Sequence, residues 1–202
     1  MKYTGYLKVK RVLDIIFSFT GLIALSPIFI VLILAVRLTS SGPVFFTQKR
    51  VGMHKSNFNI IKFRTMRIDT PKDTPTHMLE NPDKWLTGMG RILRRTSFDE
   101  LPQIINILIG DMSIVGPRPA LWNQSDLIAE RDKYGANDVP VGLTGWAQIN
   151  GRDELEIADK ARLDGEYTAK FGFAMDIRCF FGTILSVLGG KGVVEGGTGK
   201  KY

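Results

Sequence analysis

The run Arg94-Arg95-Thr96-Ser97-Phe98-Asp99-Glu100-Leu101-Pro102-Gln103 places two adjacent carboxylates just downstream of three arginines, Arg91, Arg94 and Arg95. A carboxylate can attack phosphorus and form an acyl phosphate. Its neighbour can hold Mg²⁺, a hard cation that takes oxygen ligands and bridges phosphates. Arginines and helix amides attract the phosphate itself. Asp99 and Glu100 are therefore candidate catalytic residues and candidate Mg²⁺ ligands, with Arg91 and Arg95 as candidate phosphate contacts. A plainer reading accounts for the same residues. Pro102 is at home only in a first helical turn, which puts Asp99 at or beside the N-cap, where acidic residues cap amides and complement the helix dipole. The residues alone leave both readings open.

Three more constellations carry possible chemistry. In Gly110-Asp111-Met112-Ser113-Ile114-Val115-Gly116-Pro117-Arg118-Pro119, two prolines hold Arg118 on a stiff segment. A rigid guanidinium suits a diphosphate better than a flexible ammonium; the alternative is a stiff turn with an exposed arginine. Lys62-Phe63-Arg64-Thr65 alternates two cations along an expected strand, so that Lys62 and Arg64 face one way, toward an anion or toward solvent. Residues 142–152, Gly-Leu-Thr-Gly-Trp-Ala-Gln-Ile-Asn-Gly-Arg, offer amides, Trp146 and Arg152, which either hold a nucleotide or build a turn. Trp122, Asn123 and Gln124, in the loop after Pro119, form a candidate ligand-selecting segment. Other classes do not assemble: His54 and His77 lack metal-ligand spacing, no Cys-x-x-Cys exists, and there is no phosphate-binding glycine loop or catalytic His partner.

The elements that must position these residues begin with grease. Residues 12–36 are almost wholly apolar, broken by Asp14, a few hydroxyls and Pro27. At ~1.5 Å per residue such a helix reaches across a bilayer core of about 30 Å. Lys2, Lys8, Lys10 and Arg11 precede it, and Arg37, Lys49 and Arg50 follow, so both flanks resist translocation. Pro27 removes the amide that would bond Ile23 and predicts a kink at Ser26-Pro27, with the Ser26 hydroxyl a candidate partner for the freed carbonyl. A kinked spanning helix and one that enters and leaves by the same face both satisfy this pattern.

The chain of 202 residues holds 44% hydrophobic and 23% charged residues, enough for one folded domain. One cysteine, Cys179, excludes an internal disulfide. A net charge of +7 predicts attraction to anions without naming them. After the membrane segment, residues 44–48 and 58–63 read as paired strands. Residues 69–83 read as a surface loop, 90–95 as a short basic helix and 102–109 as an apolar helix closed by Gly110. Pro119 is expected to open a helix running to residue 134, and further helices are expected over 154–171 and 175–188. The fold class is mainly α with a small β-hairpin, divided into a membrane segment (1–40), a catalytic domain (41–188) and a loose tail (189–202). The paired aromatics Phe45-Phe46 and Phe180-Phe181, with Phe171 and Phe173, belong to the core or to a headgroup-level surface.

In order along nearly the whole chain, residues 45–52, Lys62-Phe63-Arg64-Thr65-Met66, Asp99-Glu100-Leu101-Pro102-Gln103, the 110–119 run and residues 142–148 resemble the bacterial sugar transferases. These are the monotopic polyprenyl-phosphate phosphoglycosyl transferases of capsule, O-antigen and glycoprotein pathways. The resemblance implies a re-entrant helix-break-helix kinked at Ser26-Pro27 and a catalytic domain on the cytosolic face of the bacterial inner membrane. It implies Asp99 as nucleophile, Glu100 in support, Mg²⁺ as cofactor, and transfer of a sugar-1-phosphate from a UDP-sugar to undecaprenyl phosphate with release of UMP. It implies Lys62, Arg64, Arg118 and Arg152 as phosphate or nucleotide contacts. Membrane lipids and downstream glycosyltransferases are the expected partners, with no nucleic acid.

Overall fold

The structure, a computed structural model, describes residues 4–71, 81–151 and 155–188. Arg152, much of the loop after Asp69 and the tail from residue 189 lie outside the described residues. The first element is α1 (Thr4–Thr39), a single helix of 36 residues with Pro27 inside it. The helix runs through Pro27 without interruption, where a helix-break-helix was expected. Ser26 Oγ donates to the Ile23 carbonyl at 2.8 Å, supplying the bond that Pro27 cannot.

The polarity of α1 is reversed relative to a helix in water. Its inner stripe carries Lys10, Asp14 and Ser18 before Phe29, Leu32 and Val36, all buried. Its outer face is apolar, with Val12, Ile16, Phe17, Ile23, Ile30 and Val31 at least half exposed. Only 6% of its most apolar stretch is buried, which separates it from the core helix of a globular domain. Length and composition suffice to cross a membrane.

The strands β1 (Phe45–Val51) and β2 (Asn57–Phe63) form an antiparallel hairpin, Phe45 opposite Phe63 and Val51 opposite Asn57. The pairing expected from sequence is present, with β1 ending three residues later than expected. Then come α2 (Gly88–Thr96), α3 (Gln103–Ile109), β3 (Ser113–Val115), β4 (Ala120–Leu121), α4 (Ser125–Asp132), β5 (Gly142–Thr144), α5 (Trp146–Ile149), α6 (Ile157–Ala169) and α7 (Phe173–Leu188). The fold is mostly helical with a small sheet. β4 joins the free edge of β1, Arg50 opposite Leu121, while β3 and β5 pair in parallel.

The helix expected to start at Pro119 starts instead at Ser125. Ala120 and Leu121 are buried against β1, and the Gln124 side chain accepts the Leu121 amide at 2.8 Å, turning the chain before α4 begins.

Two clusters hold the site's neighbourhood. Phe29, Leu32 and Val36 of α1 pack with Phe63 of β2 and Leu93 of α2, joined by Leu101 and Ile104. Asn106 in α3 is fully buried; its Oδ1 accepts the Ile61 amide at 2.9 Å and its Nδ2 donates to the Asn59 carbonyl at 2.9 Å. Helix α3 is thereby fixed to β2, and Gly110 closes it with a φ of 103°, as its sequence predicts. Arg11 of α1 donates to the Ile107 and Leu108 carbonyls, satisfying the same helix end.

Candidate active site

Between α2 and α3 the chain makes one 3₁₀ turn, Phe98–Glu100. Ser97, in the left-handed region at φ 58°, ends α2, and the turn carries both carboxylates into the angle between α2, α3 and β2. Gly90 allows α2 to come that close: a Cβ there would meet the Thr65 carbonyl oxygen at 1.9 Å. Neither the 3₁₀ turn nor α3 has a side-chain cap, so Asp99 is not spent on the capping role its position invited.

Glu100 is the hub. Lys62 Nζ donates to its Oε1 at 2.7 Å, and Arg118 Nη2 donates to the same oxygen at 2.6 Å. Arg118 Nη1 lies 3.4 Å from Oε2. Lys62 and Arg118, 56 positions apart in the chain, thus converge on one carboxylate. Burial opposes its ionisation, but Arg118 and Lys62 outweigh burial and hold the Glu100 carboxyl well below the usual carboxylate range.

Asp99 is 8% exposed, and no donor among the described residues bonds its carboxylate. Burial pushes its pKa up; Lys62, Arg94 and Arg118 pull it down, and Glu100 adds to the rise. A buried carboxylate without a fixed partner, beside a cluster of cations, is poorly solvated when charged and remains available to an electrophile.

The other sequence candidates fall elsewhere. β2 ends at Phe63, so strand alternation does not place Arg64 beside Lys62. Arg64 is buried, and its guanidinium donates to the carbonyls of Ser40 and Ser41 and to Ser40 Oγ, tying down the exit of α1. It lines an open hollow with Ser40, Ser41 and Thr87 that includes neither Asp99 nor Glu100. Arg91 and Arg95 are exposed on α2, and Arg91 reaches the Asp83 carbonyl at 3.5 Å. Arg94 instead faces inward, its Nε donating to Thr65 Oγ1 at 3.0 Å. In the 142–151 region, Trp146 Nε1 donates to Glu166 and Gln148 Nε2 to the Leu143 carbonyl, which is what a structural turn requires. Trp122 is half exposed, with the Lys49 ammonium 5.7 Å from its ring centre.

Mg²⁺ would find a sparse donor set here. Among the described residues no three His, Cys, Asp or Glu side chains form a ready metal cage. Mg²⁺ commonly uses one or two carboxylates and takes its remaining ligands from water and substrate phosphates. Asp99, together with Glu100 Oε2, the less tightly held oxygen, fits that requirement.

The chain matches the bacterial sugar transferase family over residues 5–190. It belongs to that family. This sugar transferase is 38% identical to the uncharacterized sugar transferase EpsL of Bacillus subtilis (strain 168), over 93% of its own length and 91% of that protein's. It is 39% identical to the UDP-glucose:undecaprenyl-phosphate glucose-1-phosphate transferase of Escherichia coli (strain K12), over 87% of its own length but 39% of that longer protein. With the exopolysaccharide production protein ExoY of Sinorhizobium fredii it shares 32% identity, over 91% of this chain and 87% of the relative.

Proposed function

We propose that this sugar transferase moves a sugar-1-phosphate from a UDP-sugar to a polyprenyl phosphate such as undecaprenyl phosphate, at the cytosolic face of the bacterial inner membrane. The observation that carries the reading is the buried Asp99, without a hydrogen-bond donor among the described residues, beside a Glu100 held by Lys62 and Arg118. Relatives named for UDP-glucose and undecaprenyl phosphate, and others named for exopolysaccharide production, support the donor, the acceptor and a role in exopolysaccharide production.

In the first step a carboxylate oxygen of Asp99 attacks the phosphorus that bears the sugar. The bond from that phosphorus to the bridging oxygen breaks, and UMP leaves with the oxygen. In the second step a phosphate oxygen of the lipid attacks the same phosphorus. The bond to Asp99 breaks, which restores the carboxylate and yields a polyprenyl diphosphate sugar. Glu100 holds the Lys62 and Arg118 side chains beside the nucleophile, where they offset charge on the phosphates. Mg²⁺ bound by Asp99 and Glu100 would neutralise the diphosphate oxygens during approach of the carboxylate.

Purified protein mixed with UDP-glucose, without lipid, is expected to release up to one equivalent of UMP and gain the phosphosugar mass on the peptide containing Asp99. Asp99→Asn should lose both signals and cut turnover by about 10⁴-fold or more. A first UMP burst that strictly requires lipid would instead mean direct transfer. Chelation should abolish UMP release and Mg²⁺ restore it; full activity in excess chelator would remove the metal from the reading.

A further inference from the structure

Around Arg118, three successive backbone carbonyls are each held by a different part of the molecule. The Gly142 amide donates to the Pro117 carbonyl at 2.9 Å. Arg131 Nη2 donates to the Arg118 carbonyl at 2.9 Å, and Arg50 Nη1 donates to the Pro119 carbonyl at 3.1 Å. Pro117 and Pro119 have no amide hydrogen, so an ordinary strand ladder cannot hold this segment, and side-chain donors take its place. Gly116 admits the close approach, since a Cβ there would lie 2.1 Å from the Pro140 carbonyl oxygen.

Arg131 is itself fixed. It is 3% exposed, and its Nε and Nη2 both donate to Asp164 Oδ2, at 2.9 and 2.6 Å. Asp164 is 1% exposed, and among the described residues its Oδ1 meets no donor, so Arg131 is the cation its carboxylate bonds. A connected path therefore runs from α6 through Arg131 of α4 to the Arg118 peptide, and through the Arg118 guanidinium to Glu100. The apolar contact of Ala120, Leu127 and Ala161 already joins α4 to α6. An ion pair that served only that joint would not need its Nη2 on the Arg118 carbonyl.

We propose that Arg131, oriented by Asp164, is a positioning residue that fixes the Arg118 peptide so that its guanidinium stays on Glu100 and over the transferred phosphate. This rests on the reading of Arg118 as a phosphate contact. The expected gain is orientation: a guanidinium held in place before substrate arrives needs no reorganisation during transfer. Lysine at position 131 keeps the charge but lacks the fork that spans Asp164 and the Arg118 carbonyl together.

The test uses the full chain with UDP-glucose and undecaprenyl phosphate. Arg131→Lys should lower kcat by about 10- to 100-fold. In an Arg118→Ala background the same change should cost less than about twofold, because the group being positioned is gone. An equal loss in both backgrounds would overturn the proposal. A second readout needs no substrate: the rate at which phenylglyoxal modifies the Arg118 peptide, followed by mass spectrometry. That rate should rise several-fold in Arg131→Lys and in the isosteric Asp164→Asn, and an unchanged rate in both would overturn the positioning role. If the unmodified protein turns over no UDP-sugar, the proposed function fails while the labelling rate still decides this inference.

Discussion

Glu100 carries its charge because Lys62 and Arg118 lie on it, and that arrangement leaves Asp99 to ionise in a buried turn with only indirect help. The sign of each contribution gives a pH prediction. Burial raises the Asp99 pKa, Lys62 lowers it and Glu100 raises it. The proposed attack of Asp99 on phosphorus needs the ionised form, so on that reading activity is lost as pH falls through the raised pKa. The acid limb of kcat/KM should lie above the ordinary aspartate value of about 3.9. Lys62→Met removes the largest lowering influence and should move the limb to higher pH, with kcat down about 10²-fold. Glu100→Gln removes a negative neighbour and leaves Lys62 and Arg118 to Asp99, so the limb should move to lower pH. UMP release measured across pH for the three proteins checks this; shifts in one common direction would mean that another group titrates.

At the scale of elements, α1 is bound to the rest of the protein through polar contacts on its inner face and presents apolar residues outward. Lys10 Nζ pairs with Asp176 of α7, which also accepts from Tyr6 at 2.7 Å and from Tyr167 at 2.7 Å. Asp14 accepts the Ile114 amide at 2.9 Å. Asp176→Asn removes the carboxylate charge that the buried Lys10 ammonium bonds, leaving Asp14 as its remaining acidic neighbour, and should cost about 3 kcal/mol, read as a lower unfolding midpoint in detergent. A loss under about 1 kcal/mol would mean that the buried pair contributes little. The sequence made some of these elements legible and hid others for physical reasons. The β1–β2 hairpin, α2, α3 with its Gly110 stop, α6 and α7 are written in local pattern and punctuation. The β3–β5 pair is not, because two three-residue strands show no periodicity and their pairing, Ser113 with Gly142 and Val115 with Thr144, joins distant segments. The same distance hid the contacts that give Arg64 to Ser40 and Ser41, and Arg131 to Asp164. Asp99, Glu100, Lys62 and Arg118 were legible as residue types in motifs, but convergence on Glu100 was visible only once β2 met the turn after α2.

For the whole molecule, the length over which α1 touches the domain bears on its place in a membrane. The helix spans ~54 Å at ~1.5 Å per residue. Its inner stripe meets the domain near its start, where Lys10 reaches α7, and near its end, where Val36 packs with Phe63 and Leu93. Between them, Ile104 of α3 lies against Gly21, too close for a Cβ there. A helix that crossed a bilayer would part from a water-facing domain for about 20 residues and deliver one end to the far side. Here both ends stay with the same domain, while the outer face, with Val9, Val12, Ile16, Phe17, Ile23, Ile30, Val31 and Leu34 exposed, points away from it. The exposed stripe of α7, with Phe173, Phe180, Phe181 and Leu185, presents the same apolar chemistry. The proposed placement at the cytosolic face has α1 enter and leave by that face, with the basic flanks and the active site on the same side. Cysteines placed at positions 4 and 40, in a Cys179→Ser background, should then both react with an impermeant thiol reagent from the cytosolic side alone. Cys179 is fully buried, so its replacement removes background labelling without touching the surface. Periplasmic labelling of position 4 with cytosolic labelling of position 40 would establish a spanning helix and require α1 to leave the domain it packs against here.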